Sequence, residues 1–195
     1  MWGDSLAAAV ANEPRYKAGV WGQVKQALEP FLLPSVRAVT VVPVEESFTA
    51  EEFIAGWNTL YMLGSPSEQH AVAGLCAALA DHVIENGRRE ARRLGRMTIP
   101  LGLALDEAAN TAPIPNLDQV MSSCGGSGMC LAVVVQSVGQ ARKTWGDEVG
   151  AALLRDLATQ RIVLGGLGSA QDLKDIVDLL GEHLPACRYV PASGT

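Results

Sequence analysis

The sequence predicts an α/β fold built on a parallel sheet, together with a small helical segment at the N-terminal side. Short apolar runs that suit buried strands alternate along the chain with amphipathic helical patterns. Turn-forming residues bound these runs, and no internal repeat is present. The composition agrees, because 48% of the 195 residues are hydrophobic and 18% are charged, which excludes a disordered chain.

Residues 1–47 have a mainly helical pattern, unlike the alternating strands and helices predicted for the rest of the chain. The apolar positions expected to share one helical face are Val20, Trp21, Val24, Ala27 and Leu28. Pro30 and Pro34 are expected to end this helix, and residues 36–44 lean towards a strand that Pro43 interrupts. The segment is too small to close a core of its own, so we expect it to be the edge of a larger helical unit.

The alternation begins after residue 47. The predicted strands are residues 58–63, Leu101–Leu105, 129–135 and 161–164. The predicted helices are a long amphipathic one from Ser67 onward, a short one over 115–123 and a capped one over 169–180. The glycine-rich stretch 124–128 is predicted as a loop, so residues 48–195 form the α/β part of the chain.

Charge and cysteine content narrow the class of protein. The formal net charge of −6 excludes a wholly basic, nucleic-acid-binding surface. No run reaches the roughly 18 apolar residues of a membrane span, and the start lacks a signal-peptide pattern, so we expect a soluble chain. The cysteines have no CxxC spacing and are expected to be buried thiols in a reducing compartment: Cys76, Cys124, Cys130 and Cys187.

Polar residues follow three of the predicted strands. In parallel sheets, ligands bind at the carboxyl ends of the strands, which is where these residues are expected. Residues 103–107 match a Walker B pattern, in which Asp106 would hold the water shell of Mg²⁺ and Glu107 would orient an attacking water. The alternative is an acidic residue that only caps a strand. Gln136 follows the next run, where its amide could sense a γ-phosphate; the alternative is a polar residue at an exposed strand end.

These residues resemble the C-terminal part of type IV coupling proteins, the TraG/TraD-type ATPases of conjugation and type IV secretion. The resemblance is carried by residues 105–110 (LDEAAN), 133–137 (VVVQS), Gln140, 145–146 (WG) and 161–166 (RIVLGG), and residues 58–63 are similar to the family's strand after an inserted all-α domain. It extends over about residues 48–182. Residues 1–47 would then be the tail of that all-α domain.

The resemblance implies a three-layer, RecA-like nucleotide-binding core, with the TraM recognition region at about 101–190. In the family the complete protein uses ATP and Mg²⁺, assembles as a hexamer on the cytoplasmic side of the bacterial inner membrane, and drives single-stranded DNA and relaxase into the secretion channel. By position, Asp106 would organise the metal, and Glu107 and Gln136 would be catalytic. The expected partner is a relaxosome protein similar to TraM, or the relaxase.

The sequence departs from the family at the phosphate-binding loop. A Walker A motif requires Gly-Lys-Ser/Thr, and none of the four lysines follows a glycine: Lys17, Lys25, Lys143 and Lys174. We therefore expect this chain alone neither to hold a nucleotide nor to hydrolyse ATP. The 124–128 stretch also lacks a basic residue, so an arginine finger would come from elsewhere, such as Arg142 or Lys143, or be missing.

A cluster of arginines lies near the end of the long helix. Five occur within nine residues: Arg88, Arg89, Arg92, Arg93 and Arg96. Guanidinium groups bind phosphate bidentately, so a DNA or subunit contact through Arg88, Arg89, Arg92 and Arg93 is one interpretation. A solvated helix end, where cations suit the helix dipole, is the other.

Three functions remain open from the sequence. The first is a fragment of the DNA-pumping motor, and the second is a non-catalytic module that recognises relaxosome or secretion-substrate proteins. The third is an unrelated α/β protein in which Asp106 and Glu107 are only structural. Strand ends that bring Asp106 and Gln136 together would exclude the third.

Overall fold

The computed structural model describes residues 2–11, 14–63, 68–164, 170, 173–174 and 177–178. Within them the helices are α1 (Trp2–Ala11), α2 (Pro14–Leu28), α3 (Pro34–Thr40), α4 (Ala50–Ile54), α5 (Gln69–Leu94), α6 (Ala108–Thr111), α7 (Leu117–Ser127), α8 (Val138–Trp145) and α9 (Asp147–Arg155). The strands are β1 (Leu101–Leu105) and β2 (Met129–Val133), and 3₁₀ turns lie at Glu29–Leu32 and Val44–Glu46. The chain is thus mixed α/β, as predicted, but mostly helical in its described part.

β1 and β2 form a parallel pair in which Leu101 lies opposite Met129 and Leu105 opposite Val133. Parallel neighbours need a crossover connection, and α6 and α7 provide it. The register aligns the two carboxyl ends, so the residues after each strand come out at the same edge of the sheet. The two strands were predicted correctly, although β2 ends two residues earlier than expected.

The other two strand predictions were wrong. Residues 58–63 and 161–164 are described, and they lie outside any strand. Their side chains are largely exposed, with Leu63 at 92% and Ile162 at 83%. An apolar run becomes a strand only where a neighbouring backbone accepts its hydrogen bonds, and the described part of the sheet has two strands. A three-layer core is therefore not seen in this part of the chain.

The core lies on one face of the strand pair. Leu101 and Leu105 are buried in β1, whereas Gly102 and Ala104, which alternate with them, are exposed. The inner face packs against α5, α6 and α7 in one apolar cluster, whose fully buried large side chains are Ile84, Ile114, Leu117 and Val120. This packing fixes the strand ends relative to the long helix α5.

Two local predictions fail for backbone reasons. Residues 124–127, expected in a loop, continue α7, and the exposed Gly125 and Gly126 do not break the helix. The helix ends instead at Gly128, whose φ of 83° suits glycine and whose N–H donates to the Cys124 carbonyl. The stretch 36–44 was expected to lean towards strand, but its residues 36–40 lie in α3, which begins with Pro34 in its first turn.

The predictions for the cysteines are confirmed only in part. Cys124 is buried and Cys76 half-buried, but Cys130 is exposed, so the expectation of a buried thiol is wrong there. Cys187 and most of the predicted 169–180 helix lie outside the described residues. Across the described ranges, every helix is too short or too polar to span a bilayer.

Candidate functional site

The backbone brings the two strand ends together. Beyond the last paired residues, the N–H of Val134 donates to the Leu105 carbonyl at 2.9 Å. The N–H of Ala108 then donates to the Val134 carbonyl, also at 2.9 Å. The turn 106–107 is therefore held next to the segment that carries Gln136. We call Asp106, Glu107 and Gln136 the strand-edge site.

Glu107 occupies an unusual backbone conformation. Its φ of 47° and ψ of 45° place it in the left-handed region, as the residue just before α6. A side chain in this region is strained, and such residues cluster at functional sites. The hydroxyl of Thr111 supports the turn, because it donates to the carbonyl of Asp106 at 2.7 Å and to that of Glu107 at 3.2 Å.

Both carboxylate oxygens of Glu107 accept hydrogen bonds from amides. The Nε2 group of Gln136 donates to Oε1 at 2.7 Å, and the Nδ2 group of Asn110 donates to Oε2 at 3.3 Å. The hydrogen bond from Gln136 lowers the pKa of Glu107 most, followed by that from Asn110, with a smaller contribution from Gln69 that works against desolvation. The site therefore stabilises an ionised Glu107.

The amides also bond to one another. Gln140 donates from Nε2 to Oδ1 of Asn110 at 3.0 Å, and its Oε1 accepts from the backbone N–H of Gln136 at 3.1 Å. Glu107, Asn110, Gln140 and Gln136 thus form a closed circuit of hydrogen bonds, which we call the amide ring. Ser137, the N-cap of α8, accepts from the backbone N–H of Gln140 at 3.1 Å and holds its helical turn in place.

The juxtaposition predicted for Glu107 and Gln136 is confirmed, because their side chains share a hydrogen bond at the ends of adjacent strands. Asp106 lies at the same edge, with an exposed side chain that forms no hydrogen bond to another described residue. Carboxylate oxygens suit the water shell of Mg²⁺. The sequence has no Gly-Lys pair of the kind that holds phosphates, and the described residues contain no cluster of three metal-ligating side chains.

The arginine cluster divides into two groups. Arg88, with 19% of its side chain exposed, pairs with Glu85 at 2.6 Å and donates to the Gln119 carbonyl and to Oγ of Ser123 on α7. Arg93 is bonded to Glu90 at 2.7 Å. This contact raises the pKa of Arg93 and lowers that of Glu90.

The second group consists of Arg89, Arg92 and Arg96, which are exposed and form no ion pair with another described residue. Arg92 borders a shallow groove of about 650 Å³ between α5 and α7, together with Arg88, Ser123 and Ser127. The structure therefore leaves Arg89 and Arg92 available for an anion, while Arg88 and Arg93 are engaged within the chain.

Sequence reasoning gave no role to Asn110, Gln140 or Gln69. The spacing contained a signal for two of them. Asn110 is three residues after Glu107 at the start of a helix, and Gln140 is four residues after Gln136, so each lies one turn from a predicted site residue. Gln69 begins α5, and its proximity to Glu107 arises only from tertiary packing.

Comparison with known proteins gives one result. Neither the curated proteins nor the solved structures contain a match to the chain. A sequence family matches residues 100–188, a range that begins just before β1 and includes α6, α7, β2, α8 and α9. The description of that family is the TraM recognition site of TraD and TraG, and the match over residues 100–188 confirms the resemblance drawn from the strand-end residues.

Proposed function

We propose that the chain is the distal part of a type IV coupling protein, the ATP-driven motor that moves single-stranded DNA and relaxase into a conjugation or type IV secretion channel. The observation that carries this proposal is the 2.7 Å hydrogen bond from Gln136 to Glu107 at the ends of adjacent parallel strands. The family match supports it, because the matched range includes both residues.

Each residue of the strand-edge site has a distinct task in this proposal. Asp106 accepts hydrogen bonds from water around Mg²⁺, and Glu107, held ionised, accepts one from the attacking water. Gln136 points its NH₂ group at Glu107, which leaves its carbonyl oxygen for a water or a phosphate-bound hydroxyl. Bound Mg-ATP would supply the phosphoryl group, and residues outside this chain would hold its phosphates.

The remaining parts of the proposal concern assembly. In the complete protein, the motor core would be RecA-like and would work as a hexamer on the cytoplasmic side of the inner membrane. Residues 100–188 would contact a TraM-like relaxosome protein, since that is the recognition function in the family's description. Arg89 and Arg92, whose side chains are exposed, would contact DNA or a neighbouring subunit.

A second function is favoured by a separate observation. The family's description names recognition rather than catalysis, and the chain has no Gly-Lys pair. A module that binds relaxosome or secretion-substrate proteins without ATP turnover would satisfy both facts. In that case the amide ring would serve only to hold the turn after β1.

ATP hydrolysis separates the two functions. The chain alone should release no phosphate. Extended upstream by coding sequence that supplies Gly-x₄-Gly-Lys-Ser/Thr, it should hydrolyse ATP with Mg²⁺, and Glu107→Gln should lower kcat by roughly 100-fold or more. Full activity of Glu107→Gln in the extended protein, or Glu107-dependent hydrolysis by the chain alone, would contradict the proposal. If the upstream region encodes no such loop, the motor function is excluded and the recognition module is the function that remains.

Partner binding is tested independently. Titration calorimetry should detect association between the chain and a TraM-like relaxosome protein in the absence of nucleotide. A matched titration uses the Glu107→Gln variant, which should bind equally well, because the strand-edge site is assigned to nucleotide response rather than to the partner. Lack of binding by both proteins would remove the recognition function from this chain.

A further inference from the structure

We infer that Asn110 and Gln140 are positioning residues of the strand-edge site: Asn110 holds the carboxylate of Glu107 and Gln140 holds the backbone N–H of Gln136, so that the Gln136 amide meets Glu107. The inference follows from the amide ring and rests on the proposed function only for its consequence in catalysis. Asn110 acts through the carboxylate of Glu107, and Gln140 acts through the backbone N–H of Gln136 and the amide of Asn110.

The ionised carboxylate sets the polarity of the ring. A carboxylate offers only acceptors, so the side chain of Asn110 must turn its NH₂ group towards Glu107. Its Oδ1 then faces the other way and can only accept, which it does from Nε2 of Gln140. This leaves Oε1 of Gln140 facing the backbone N–H of Gln136, the one donor that closes the circuit.

The ring leaves no alternative orientation of these amides. Rotating the Asn110 amide by half a turn would place its oxygen against Oε2 of Glu107 and its NH₂ group against that of Gln140. Both contacts would pair like with like, and an unmade hydrogen bond in a network is costly. Gln136 is held at its backbone N–H by Gln140 and at its side-chain NH₂ group by Glu107, so its carbonyl oxygen keeps one direction.

The ring also links two elements of the fold. Gln140 lies in the first turn of α8, and Asn110 lies in α6 directly after β1. Glu107 is further faced by Gln69 at the start of α5. A change in what Glu107 binds would therefore be transmitted to α8 through the amides of Asn110 and Gln140.

The test is nuclear magnetic resonance of the side-chain NH₂ groups in the whole chain labelled with ¹⁵N. Glu107→Gln removes the obligatory acceptor, so the NH₂ resonances of Gln140 should shift although Gln140 does not contact Glu107. In an Asn110→Leu background, Glu107→Gln should shift the Gln140 resonances much less, because the direct amide connection is gone and only the route through Gln136 remains. The NH₂ resonances of Gln119 on α7, which lies outside the ring, serve as the control.

Two results would overturn the inference: Gln140 resonances that do not respond to Glu107→Gln, or an equal response in the Asn110→Leu background. If Asn110→Leu does not fold, as circular dichroism would show, Gln140→Leu replaces it. That variant should shift the NH₂ resonances of Gln136, and unchanged Gln136 resonances would count against the inference.

The catalytic consequence has its own readout. In the extended, ATP-hydrolysing protein, Gln140→Leu should lower kcat by about tenfold and leave KM unchanged, since positioning acts on the chemical step. The Gln119→Leu variant should change neither constant. A rise in KM alone would contradict a positioning role. If the wild-type extended protein does not hydrolyse ATP, the proposed function fails, while the resonance shifts still decide whether the ring exists.

Discussion

Gly150 of α9 lies directly against the backbone of Ala141 in α8. A Cβ atom built on Gly150 would be 2.5 Å from both the carbonyl carbon and the carbonyl oxygen of Ala141. It would be equally close to the backbone nitrogen of Arg142. Because backbone atoms cannot rotate away, this crossing of α8 and α9 requires glycine. The contact fixes α9 on the helix that carries Gln140 of the amide ring.

The first prediction concerns this crossing. Gly150→Ala should force the two helices apart, and overpacking of this kind costs about 1–3 kcal/mol. The higher helix propensity of alanine returns at most about 1 kcal/mol, so we expect a net loss of roughly 1–2 kcal/mol in the free energy of unfolding. Urea denaturation followed by circular dichroism measures it.

The matched control for Gly150→Ala is Gly74→Ala. Gly74 lies in the second turn of α5, and a Cβ atom there meets nothing within 4 Å. The same change should therefore raise the free energy of unfolding by about 0.5–1 kcal/mol. Stabilisation by both variants would mean that α8 and α9 do not cross closely in solution.

The strand edge shows what the sequence could reveal. β1 and β2 were predictable because each is an apolar run that ends in polar residues, Asp106 and Glu107 for one and Gln136 for the other. In a parallel pair with aligned ends, the residues that follow the two strands must lie close together. Nε2 of Gln136 and Oε1 of Glu107 are indeed 2.7 Å apart. Pattern and topology together were sufficient for this part of the site.

The failures have a different physical origin. Residues 58–63 and 161–164 are as apolar as β1, but hydropathy reports a tendency to be buried rather than a partner strand. Gly125 and Gly126 suggested a loop, although glycine is tolerated in a helix where nothing else breaks the turn. Gln69 reaches Glu107 only because α5 packs against the sheet, and no local pattern encodes that approach.

The second prediction separates Arg88 from Arg92. Arg88→Ala removes the hydrogen bonds that tie α5 to α7 and also the packing of its aliphatic stem, so the free energy of unfolding should fall by about 1–2 kcal/mol. Arg92→Ala, four residues later on the same helix, should stay within about 0.5 kcal/mol of wild type. Urea denaturation of both variants provides the comparison, and equal losses would refute the division of the cluster.

The third prediction concerns anion binding by the exposed arginines. Charge reversal of Arg89 and Arg92 together should weaken binding of a single-stranded oligonucleotide and reduce its dependence on salt, because fewer phosphate counterions are released. Fluorescence anisotropy at several salt concentrations measures both quantities. The comparison variant reverses Arg155 at the end of α9, which should have a smaller effect. An unchanged affinity in the Arg89→Glu, Arg92→Glu variant would assign these residues to a solvated helix end.

The fourth prediction concerns thiol reactivity. Burial raises the pKa of Cys124 and of Cys76, so both hold less thiolate at mildly alkaline pH, and burial also blocks access to them. Cys130 is exposed on the outer face of β2. In a Cys187→Ser background, iodoacetamide should modify Cys130 first, as peptide mass spectrometry would show. Modification of Cys124 as fast as Cys130 would mean that α7 does not pack on the sheet as described.

The last prediction uses the pKa of Glu107, which the amides of Gln136 and Asn110 lower relative to the unfolded chain. A carboxyl with a depressed pKa in the folded state stabilises the fold above its unfolded pKa. That contribution is lost as the pH falls through the folded pKa. In Glu107→Gln the contribution is absent at every pH. The stability of wild type should therefore exceed that of Glu107→Gln at neutral pH, and the difference should shrink as the pH is lowered towards about 3.

Urea midpoints measured across this pH range test the prediction. The matched variant is Glu148→Gln, which changes an exposed glutamate on α9. A difference between wild type and Glu107→Gln that is independent of pH would show that the ring does not depend on the charge of Glu107, and the polarity argument for Asn110 and Gln140 would lose its physical basis.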